Sequence, residues 1–338
     1  METDTLYFTA PRSTAIRSRS VEMGPEEVLV STDYSAISAG TEMLLYRDEV
    51  PADLPADATI ETLSDDLSYP IRYGYAAVGR VQETGAAVEE EEWEDTRVFA
   101  FNPHESRFVA DPATLVTVPE DVSPAEMTLL PTLETATSLV LDGRPRIGER
   151  VVVFGAGVVG LLTIALLSRF PLERLVAVEP IDARRKRALA FGADEAVSPD
   201  DVPSLFGAED VDDPSGADLL YELSGRPAAL DDALDATGYD SRVIVGSWYG
   251  TKPVRLDLGT EFHRNRVSLA SSQVSTLAPE TTGRFSKDRR LDVALDRLRG
   301  IDVASLITHR IPFADAPDAY RLLDESPETA VQVLLTYE

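Results

Sequence analysis

The pattern of hydrophobic and polar positions changes near residue 131. Before it, short apolar runs are separated by turn residues, as is typical of β-strands. After it, strand-like apolar runs alternate with helical patterns, and this alternation predicts a parallel, doubly wound sheet. Strands are predicted at 27–34, 76–81 and 97–101 in the first part and at 150–155, 174–178, 217–221, 242–246 and 267–271 in the second. Helices are predicted at 158–169, 183–191 and 227–237.

Beyond residue 272 the pattern changes again. Helices are predicted at 287–299 and 314–323. An extended run is predicted at 306–310, and an apolar, strand-like run at 331–335. We therefore predict an α/β protein of two domains. A β-rich domain contains both chain ends, residues 1–131 and 272–338, and the α/β domain, residues 132–271, is inserted into it.

A glycine motif lies between the first strand and the first helix of the inserted domain. It reads Gly155-Ala156-Gly157-Val158-Val159-Gly160. The first glycine permits a tight turn, the second lets the backbone approach a pyrophosphate, and the third lets the helix pack on the strand. The N–H groups of the helix N-terminus favour phosphate. The motif predicts a dinucleotide site, and the alternative is a tight strand-to-helix turn in another kind of α/β protein.

An acidic residue indicates which dinucleotide binds. Glu179 ends the next apolar run, 19 residues beyond Gly160. A carboxylate there accepts hydrogen bonds from ribose hydroxyls and repels a 2′-phosphate, which favours NAD. Arg184 and Arg185 follow closely and could meet a phosphate, so NADP stays open, although both arginines fit a solvated helix surface as well.

The charge balance is strongly acidic. The 338 residues include 31 basic and 59 acidic side chains, for a net charge of −28, and the lysines are limited to Lys186, Lys252 and Lys287. Self-repulsion on this scale is screened at molar salt. The composition resembles that of extreme-halophile proteins and predicts a salt-rich cytoplasm, with an acidic protein that binds a basic partner as the alternative. Binding to nucleic acid is disfavoured, because the sequence shows no basic patch that could neutralise phosphates.

Targeting and redox features are few. No run approaches the ~20 apolar residues of a membrane span, so we expect no membrane association. The first residues lack the basic region and apolar core of a secretory signal, and a cytoplasmic location is the default expectation. The sequence has no cysteine, which rules out disulfides and thiolate metal sites.

Four segments, in order, resemble those of the medium-chain dehydrogenase/reductases, the superfamily of alcohol and threonine dehydrogenases. The matching segments are 35–42 (SAISAGTE), 74–79 (GYAAVG), 222–227 (ELSGRP) and 306–309 (LITH). The resemblance covers nearly the whole chain and implies a GroES-like catalytic domain joined to a Rossmann cofactor domain. It also implies that Thr135, Ser224 and Gly246 line the nicotinamide half of the site, and that Trp248 walls the pocket. The alternative for Trp248 is core packing.

The departures from the family affect its zinc site. Ser38 or Ala39 stands where the family has its first zinc cysteine, Tyr75 replaces the zinc histidine, and the third ligand position falls near Pro131. The four-cysteine structural lobe has no counterpart. Because zinc sites need three or four converging Cys, His or carboxylate ligands, we predict no zinc site.

A subgroup that resembles bacteriochlorophyllide a dehydrogenase shares shorter motifs with this chain. These are the segment 35–42, the pair Pro103-His104, and the stretches 262–264 and 271–273. The shared motifs do not identify a tetrapyrrole substrate. By analogy with relatives, the strand near 267–270 could extend a sheet across a homodimer.

Hydride transfer without zinc needs another electrophile or a positioned acid and base. We predict catalytic roles for His104, which could exchange a proton near neutrality, and for Tyr75, which could hydrogen-bond a carbonyl. The alternatives are a surface histidine and a cavity-filling aromatic ring. Glu42 is expected to orient its neighbours, and Ser38 and Thr41 to line the substrate pocket.

Three functions remain open from the sequence. The leading one is a zinc-independent, NAD(P)-linked oxidoreductase that acts on a secondary alcohol/ketone pair in a small molecule. A second is NADPH-dependent reduction of an enone or quinone, whose substrate is already polarised. A third, of another class, is a dinucleotide-binding sensor or structural protein without turnover.

Overall fold

The computed structural model describes residues 1–51, 67–206 and 216–337. The chain forms two compact units: unit 1 contains Met1–Pro131 and Leu298–Glu338, and unit 2 contains Thr132–Arg297. Within the described residues, no helix has the length and apolar character needed to cross a membrane.

The first part of unit 1 is mainly β-structure. Its strands are β1 (Glu2–Ala10), β2 (Ser13–Ser20), β3 (Val28–Ile37), β4 (Ile71–Arg72), β5 (Ala77–Thr84), β6 (Arg97–Ala100), β7 (Arg107–Ala110) and β8 (Val116–Thr117). Its helices are α1 (Ala39–Tyr46), α2 (Glu90–Trp93) and α3 (Pro124–Met127).

Unit 2 follows the alternating pattern of the sequence. Its helices are α4 (Leu130–Gly143, which begins at the unit boundary), α5 (Val158–Leu167), α6 (Asp182–Ala190), α7 (Val202–Leu205), α8 (Pro227–Asp235), α9 (Glu261–Arg264) and α10 (Lys287–Leu298). Its strands are β9 (Arg150–Phe154), β10 (Arg174–Val178), β11 (Glu195–Val197), β12 (Ala217–Glu222), β13 (Thr237–Val245) and β14 (Ser268–Ser271). The chain then returns to unit 1 with β15 (Ile307–Pro312), α11 (Ala316–Glu325) and β16 (Gln332–Thr336).

The sheet of unit 2 confirms the predicted doubly wound fold. Its six strands are all parallel, in the order β11-β10-β9-β12-β13-β14. The order reverses direction between β9 and β12, which is the switch point where such folds bind ligands. Because helices cover parallel sheets on both faces, the central strand β9 is almost wholly buried.

Unit 1 combines two sheets. The smaller has the order β2-β1-β4, and the larger runs β15-β16-β3-β5-β6-β8, with β7 also paired to β3. In the larger sheet β16 pairs with β3 in antiparallel register, so a strand that follows unit 2 in the chain lies beside one that precedes it. A core cluster that includes Phe8, Tyr46 and Tyr320 packs between these segments.

The second domain boundary differs from the prediction. Residues 272–297, which the sequence pattern assigns to the β-rich domain, belong to unit 2. The guanidinium of Arg290, a side chain that is 2% exposed, donates to Glu134 Oε1 at 2.8 and 3.0 Å and to Ser138 Oγ at 2.8 Å, both on α4. It also donates to the carbonyl oxygen of Val274. These buried contacts fasten the segment to unit 2.

Candidate active site

The carboxyl ends of the parallel strands in unit 2 form one row. Backbone register aligns the last residues of β10, β9, β12, β13 and β14, which are Val178, Phe154, Glu222, Val245 and Ser271. Of the predicted cofactor residues, Gly155, Glu179 and Gly246 each directly follow one of these ends, and Ser224 lies two positions after another. Four predicted residues therefore lie at the edge where doubly wound sheets bind ligands.

The glycine loop meets the steric demands expected of it. Gly155 has φ +95°, and a Cβ there would lie 2.7 Å from Ser224 Cα. A Cβ at Gly160 would lie 1.9 Å from the carbonyl oxygen of Gly155, so α5 packs directly on the turn. Gly157 is the N-cap of α5, and a Cβ there would meet nothing within 4 Å. The open side of the loop is thus at Gly157, beside the half-buried Val158 and Val159.

Glu179 supports this loop. Its carboxylate is 3% exposed, and it accepts hydrogen bonds from the backbone N–H of Ala156 at 2.8 Å and of Ile181 at 3.0 Å. The guanidinium of Arg185 donates to the carbonyl oxygens of Glu179 and Pro180 and so stabilises the backbone of this turn. Arg184 is half-buried on α6.

A buried carboxylate organises the next part of the edge. Glu222 has no exposed surface and accepts hydrogen bonds from the Ser224 backbone N–H at 2.8 Å, from the Ser224 hydroxyl, and from Tyr249 OH at 2.5 Å. Its own carbonyl oxygen accepts the N–H groups of Gly246 and Ser247. Glu222 thereby fixes the two loops that contain Ser224 and Gly246.

Two predicted residues of unit 2 lie less deeply. Trp248 is 38% exposed, so the core-packing alternative for its ring is wrong. Thr135 is half-buried on α4. The predicted contacts of these two side chains with nicotinamide stay predictions.

In unit 1, the start of α1 places two hydroxyl groups together. Ser38 occupies the N-cap position, yet its hydroxyl caps no helix N–H. Instead it accepts a hydrogen bond from the phenol of Tyr75, and both side chains are half-buried. Thr41 lies half-buried in the first turn of the same helix. The predicted pocket residues of this unit thus gather at one helix end.

Glu42 and His104 form a pair behind these hydroxyls. Neither has exposed surface, and His104 Nε2 lies 3.0 Å from Glu42 Oε2. The other ring nitrogen, Nδ1, lies 2.7 Å from the hydroxyl of Ser35, which in turn lies 2.8 Å from Tyr337 OH. A Cβ at Gly74 would lie 2.8 Å from the His104 ring, so the imidazole is enclosed by backbone as well.

This environment corrects the expectations for His104. It is not a surface histidine, because it is completely buried. It also cannot touch a substrate directly in this arrangement, since both ring nitrogens are bonded inside unit 1. A role exerted through Glu42 is the form of the prediction that the geometry supports.

Comparison with known proteins finds relatives that cover both units. Residues 158–287 match the family described as zinc-binding dehydrogenase. The D-guloside 3-dehydrogenase of Escherichia coli (strain K12) is 25% identical over 98% of this chain and 99% of its own length. The L-threonine 3-dehydrogenase of Pyrococcus horikoshii is 34% identical over 40% of this chain and 38% of its own length.

The chain is an oxidoreductase related to dehydrogenases. Solved structures share the fold of the chain. An alcohol dehydrogenase from Escherichia coli CFT073, solved in complex with NADH, superposes with a TM-score of 0.76 at 18% identity, over 99% of both chains.

The zinc implied by the family's description does not suit the side chains of this dehydrogenase. Ser38 and Tyr75 offer a hydroxyl and a phenol that are bonded to each other, and Pro131 offers no side-chain ligand. Across the ranges that the structure covers, no group of three or more His, Cys, Asp or Glu side chains could hold a metal ion. Zinc sites are built from Cys, His and carboxylate ligands, so this donor set does not fit zinc.

Sequence reasoning missed several residues of these clusters. Tyr320 donates a 2.5 Å hydrogen bond to Glu42 Oε2 from 278 positions away. Ser35 and Tyr337 bond to each other across 302 positions, and Tyr249 reaches Glu222 across 27. None of these contacts has a local sequence pattern, and only the fold brings the partners together.

Proposed function

We propose that this dehydrogenase is a zinc-independent, NAD(P)-linked oxidoreductase that transfers hydride between nicotinamide and a secondary alcohol or its ketone. The observation that carries the proposal is the Ser38–Tyr75 hydroxyl pair, at positions where the family resemblance puts zinc ligands. A hydrogen-bond donor aimed at a carbonyl oxygen stabilises the charge that develops there during reduction.

In this proposal each unit has its own task. The phenol of Tyr75 and the hydroxyl of Ser38 hold the substrate oxygen, and the ordered pair restricts its orientation. The buried carboxylate of Glu42 accepts the Ser38 backbone N–H at 2.8 Å and so fixes the start of α1. A bound nicotinamide dinucleotide supplies the hydride exchange.

The residues of unit 2 fit a dinucleotide. The open space at Gly157 and the N-terminus of α5 would hold the pyrophosphate, and the strand-end position of Glu179 favours a ribose hydroxyl over a 2′-phosphate. Arg185 is engaged with backbone carbonyls, which further favours NAD over NADP. Fluorescence titration with NADH and NADPH at molar KCl tests this, and tighter binding of NADPH would contradict it.

The deciding experiment is a turnover screen. A D-guloside and L-threonine, taken from the names of the two relatives, are offered with NAD⁺ and NADP⁺ at molar KCl, beside sorbitol, 2-cyclohexenone and a benzoquinone with NADH and NADPH. Nicotinamide absorbance at 340 nm is the readout. Turnover of an alcohol that Ser38→Ala abolishes supports the proposal. Exclusive turnover of the enone or quinone with NADPH, or binding without any turnover, would replace it by one of the two other functions.

The cofactor domain also supports a homodimer. Strand β14 is the edge of the parallel sheet, all four of its residues are exposed, and Leu269 is 38% exposed. An exposed edge presents unpaired N–H and C=O groups that pair readily with another strand. Light scattering at molar KCl should give a dimer for the wild type and a monomer for Leu269→Pro, whereas a monomeric wild type would refute the inference.

The acidic surface supports function in a salt-rich cytoplasm. A net charge of −28 on 338 residues disfavours the compact state unless ions screen it. We therefore infer a halophilic protein whose folded state needs concentrated salt.

A further inference from the structure

Ser38 is unusual among serines that begin helices. An N-cap serine normally accepts a hydrogen bond from a backbone N–H in the first helical turn. Here the hydroxyl makes no such bond. Glu42, one position beyond the N3 residue used in a capping box, instead reaches back and accepts the N–H of Ser38 itself at 2.8 Å. The backbone is anchored while the Ser38 hydroxyl stays available to Tyr75.

The Glu42 carboxylate is itself held from three directions. Oε1 accepts the Ser38 N–H, and Oε2 accepts Tyr320 OH at 2.5 Å and faces His104 Nε2 at 3.0 Å. Since a completely buried carboxylate is costly unless it is hydrogen-bonded, these contacts determine where its oxygens lie. Loss of one donor leaves the carboxylate free to move toward the remaining two.

Tyr320 is the most firmly placed of these donors. Its ring has no exposed surface, meets the edge of Phe8 at 5.1 Å and stacks on Tyr46 at 5.7 Å. Burial, together with the adjacent Glu42 charge, raises the pKa of Tyr320 well above its usual value. The phenol therefore keeps its proton at any working pH and continues to donate.

We propose that Tyr320, acting through Glu42, is a positioning residue for the Ser38 hydroxyl. The inference rests on the proposed function, since it assumes that Ser38 and Tyr75 hold the substrate oxygen. A residue of the C-terminal segment thereby sets the geometry of the hydroxyl pair, although Ser38 and Tyr75 both lie within the first 80 residues of the chain. His104, from a third segment, also holds the Glu42 carboxylate, and its other ring nitrogen is bonded to the Ser35 hydroxyl.

The first test measures alcohol binding with the probe 1,1,1-trifluoro-2-propanol, followed by ¹⁹F NMR in the NADH-loaded enzyme at molar KCl. We expect Ser38→Ala to weaken binding at least tenfold and Tyr320→Phe about fivefold, the order of one hydrogen bond. The double variant should match Ser38→Ala within about twofold, because Tyr320 acts only through Ser38. An additive loss in the double variant would overturn the positioning role.

The matched control is Tyr46→Phe. Tyr46 is equally aromatic, lies in the same core cluster and stacks on Tyr320, so its substitution removes a buried phenol without touching Glu42. It should bind the probe like the wild type. If Tyr46→Phe weakens binding as much as Tyr320→Phe does, the effect is one of packing and the proposal fails.

A second measurement needs no ligand. The sequence has three histidines, His104, His263 and His309, so a ¹⁵N-histidine spectrum is simple to assign. In protein labelled with both ¹⁵N-histidine and ¹⁵N-serine, Tyr320→Phe should shift both the His104 imidazole N–H and the Ser38 backbone amide, since each donates to Glu42, whereas Tyr46→Phe should leave them in place. Unchanged signals in Tyr320→Phe would refute the link. If the signals shift but the alcohol probe binds nowhere, the proposed function fails and the support network stands.

Discussion

Alanine substitution should affect two glycines of the same loop differently: at Gly160 it should mainly lower stability, and at Gly157 it should mainly weaken nucleotide binding. Gly160→Ala places a Cβ 1.9 Å from the carbonyl oxygen of Gly155, whereas real Cβ contacts essentially never fall below 3.0 Å. Helix α5 must therefore move off the turn by about 1 Å, and overpacking of this kind costs about 1–3 kcal/mol. Gly157→Ala meets nothing within 4 Å and loses only the advantage of glycine over alanine at an N-cap, roughly 1 kcal/mol.

These costs translate into melting temperatures and nucleotide binding. At roughly 2–4 °C per kcal/mol for a unit of this size, Gly160→Ala should melt up to about 10 °C below the wild type, and Gly157→Ala within about 4 °C of it. Gly157→Ala should still lose NADH, because its methyl group fills the space that we assign to the pyrophosphate. At a hundred times its Kd, NADH stabilises the wild type by about 2.7 kcal/mol, and this gain should vanish in the variant.

The assay is a thermal melt at molar KCl with and without NADH, supported by a fluorescence titration. Gly283→Ala is the matched control, since a Cβ there also meets nothing within 4 Å and the residue belongs to the segment 272–297, not to the glycine loop. If Gly157→Ala binds NADH like the wild type, the open side of the loop is not the phosphate site. A wild-type melting temperature for Gly160→Ala would refute the packing argument.

Four further outcomes follow from the structure. Tyr75→Phe should lower kcat/KM about a hundredfold with NADH affinity unchanged, as for loss of one donor to a developing oxyanion; an equal loss of NADH affinity would contradict this. Arg290→Met should cost about 3–5 kcal/mol in denaturant unfolding, because it strands the buried Glu134, and adding Glu134→Met should recover part of the loss. Burial raises the pKa of Asp142, so its ionised form destabilises the fold above that pKa; Asp142→Asn should raise the melting temperature at pH 7, with the gain fading below about pH 4. The wild-type melting temperature should rise steadily between dilute and molar KCl, and a flat response would exclude the halophilic inference.

The sequence predicted the architecture of unit 2 because its determinants are local. Apolar runs of strand length alternate with helical patterns, and parallel strands then place their carboxyl ends in one row. Gly155 and Glu179 could be assigned to that row from their positions at the ends of apolar runs, and Gly246 from the family resemblance. The second domain boundary could not be predicted, since it depends on the contact of Arg290 with Glu134 across 156 positions.

The support of the hydroxyl pair was beyond prediction for the same reason. Ser38, Tyr75 and Glu42 lie in segments that resemble a family motif, so they could be singled out. What each side chain does depends on Tyr320 and on the burial of His104, and neither has a local pattern. The role of Glu222 in unit 2 was equally unpredictable, because the sequence does not indicate that Tyr249 donates a hydrogen bond to its carboxylate.

A site that uses hydroxyls in place of a metal ion needs more from its surroundings. A metal ion concentrates charge and fixes its ligands, whereas a serine and a tyrosine hydroxyl are rotatable and weakly polarising. Their catalytic value therefore depends on being held in place before the substrate arrives. In this dehydrogenase a completely buried carboxylate, anchored by Tyr320 and His104, fixes the helix start that presents Ser38. Under the proposed function, the hydroxyl pair of Ser38 and Tyr75 and the buried network behind it therefore act as one unit.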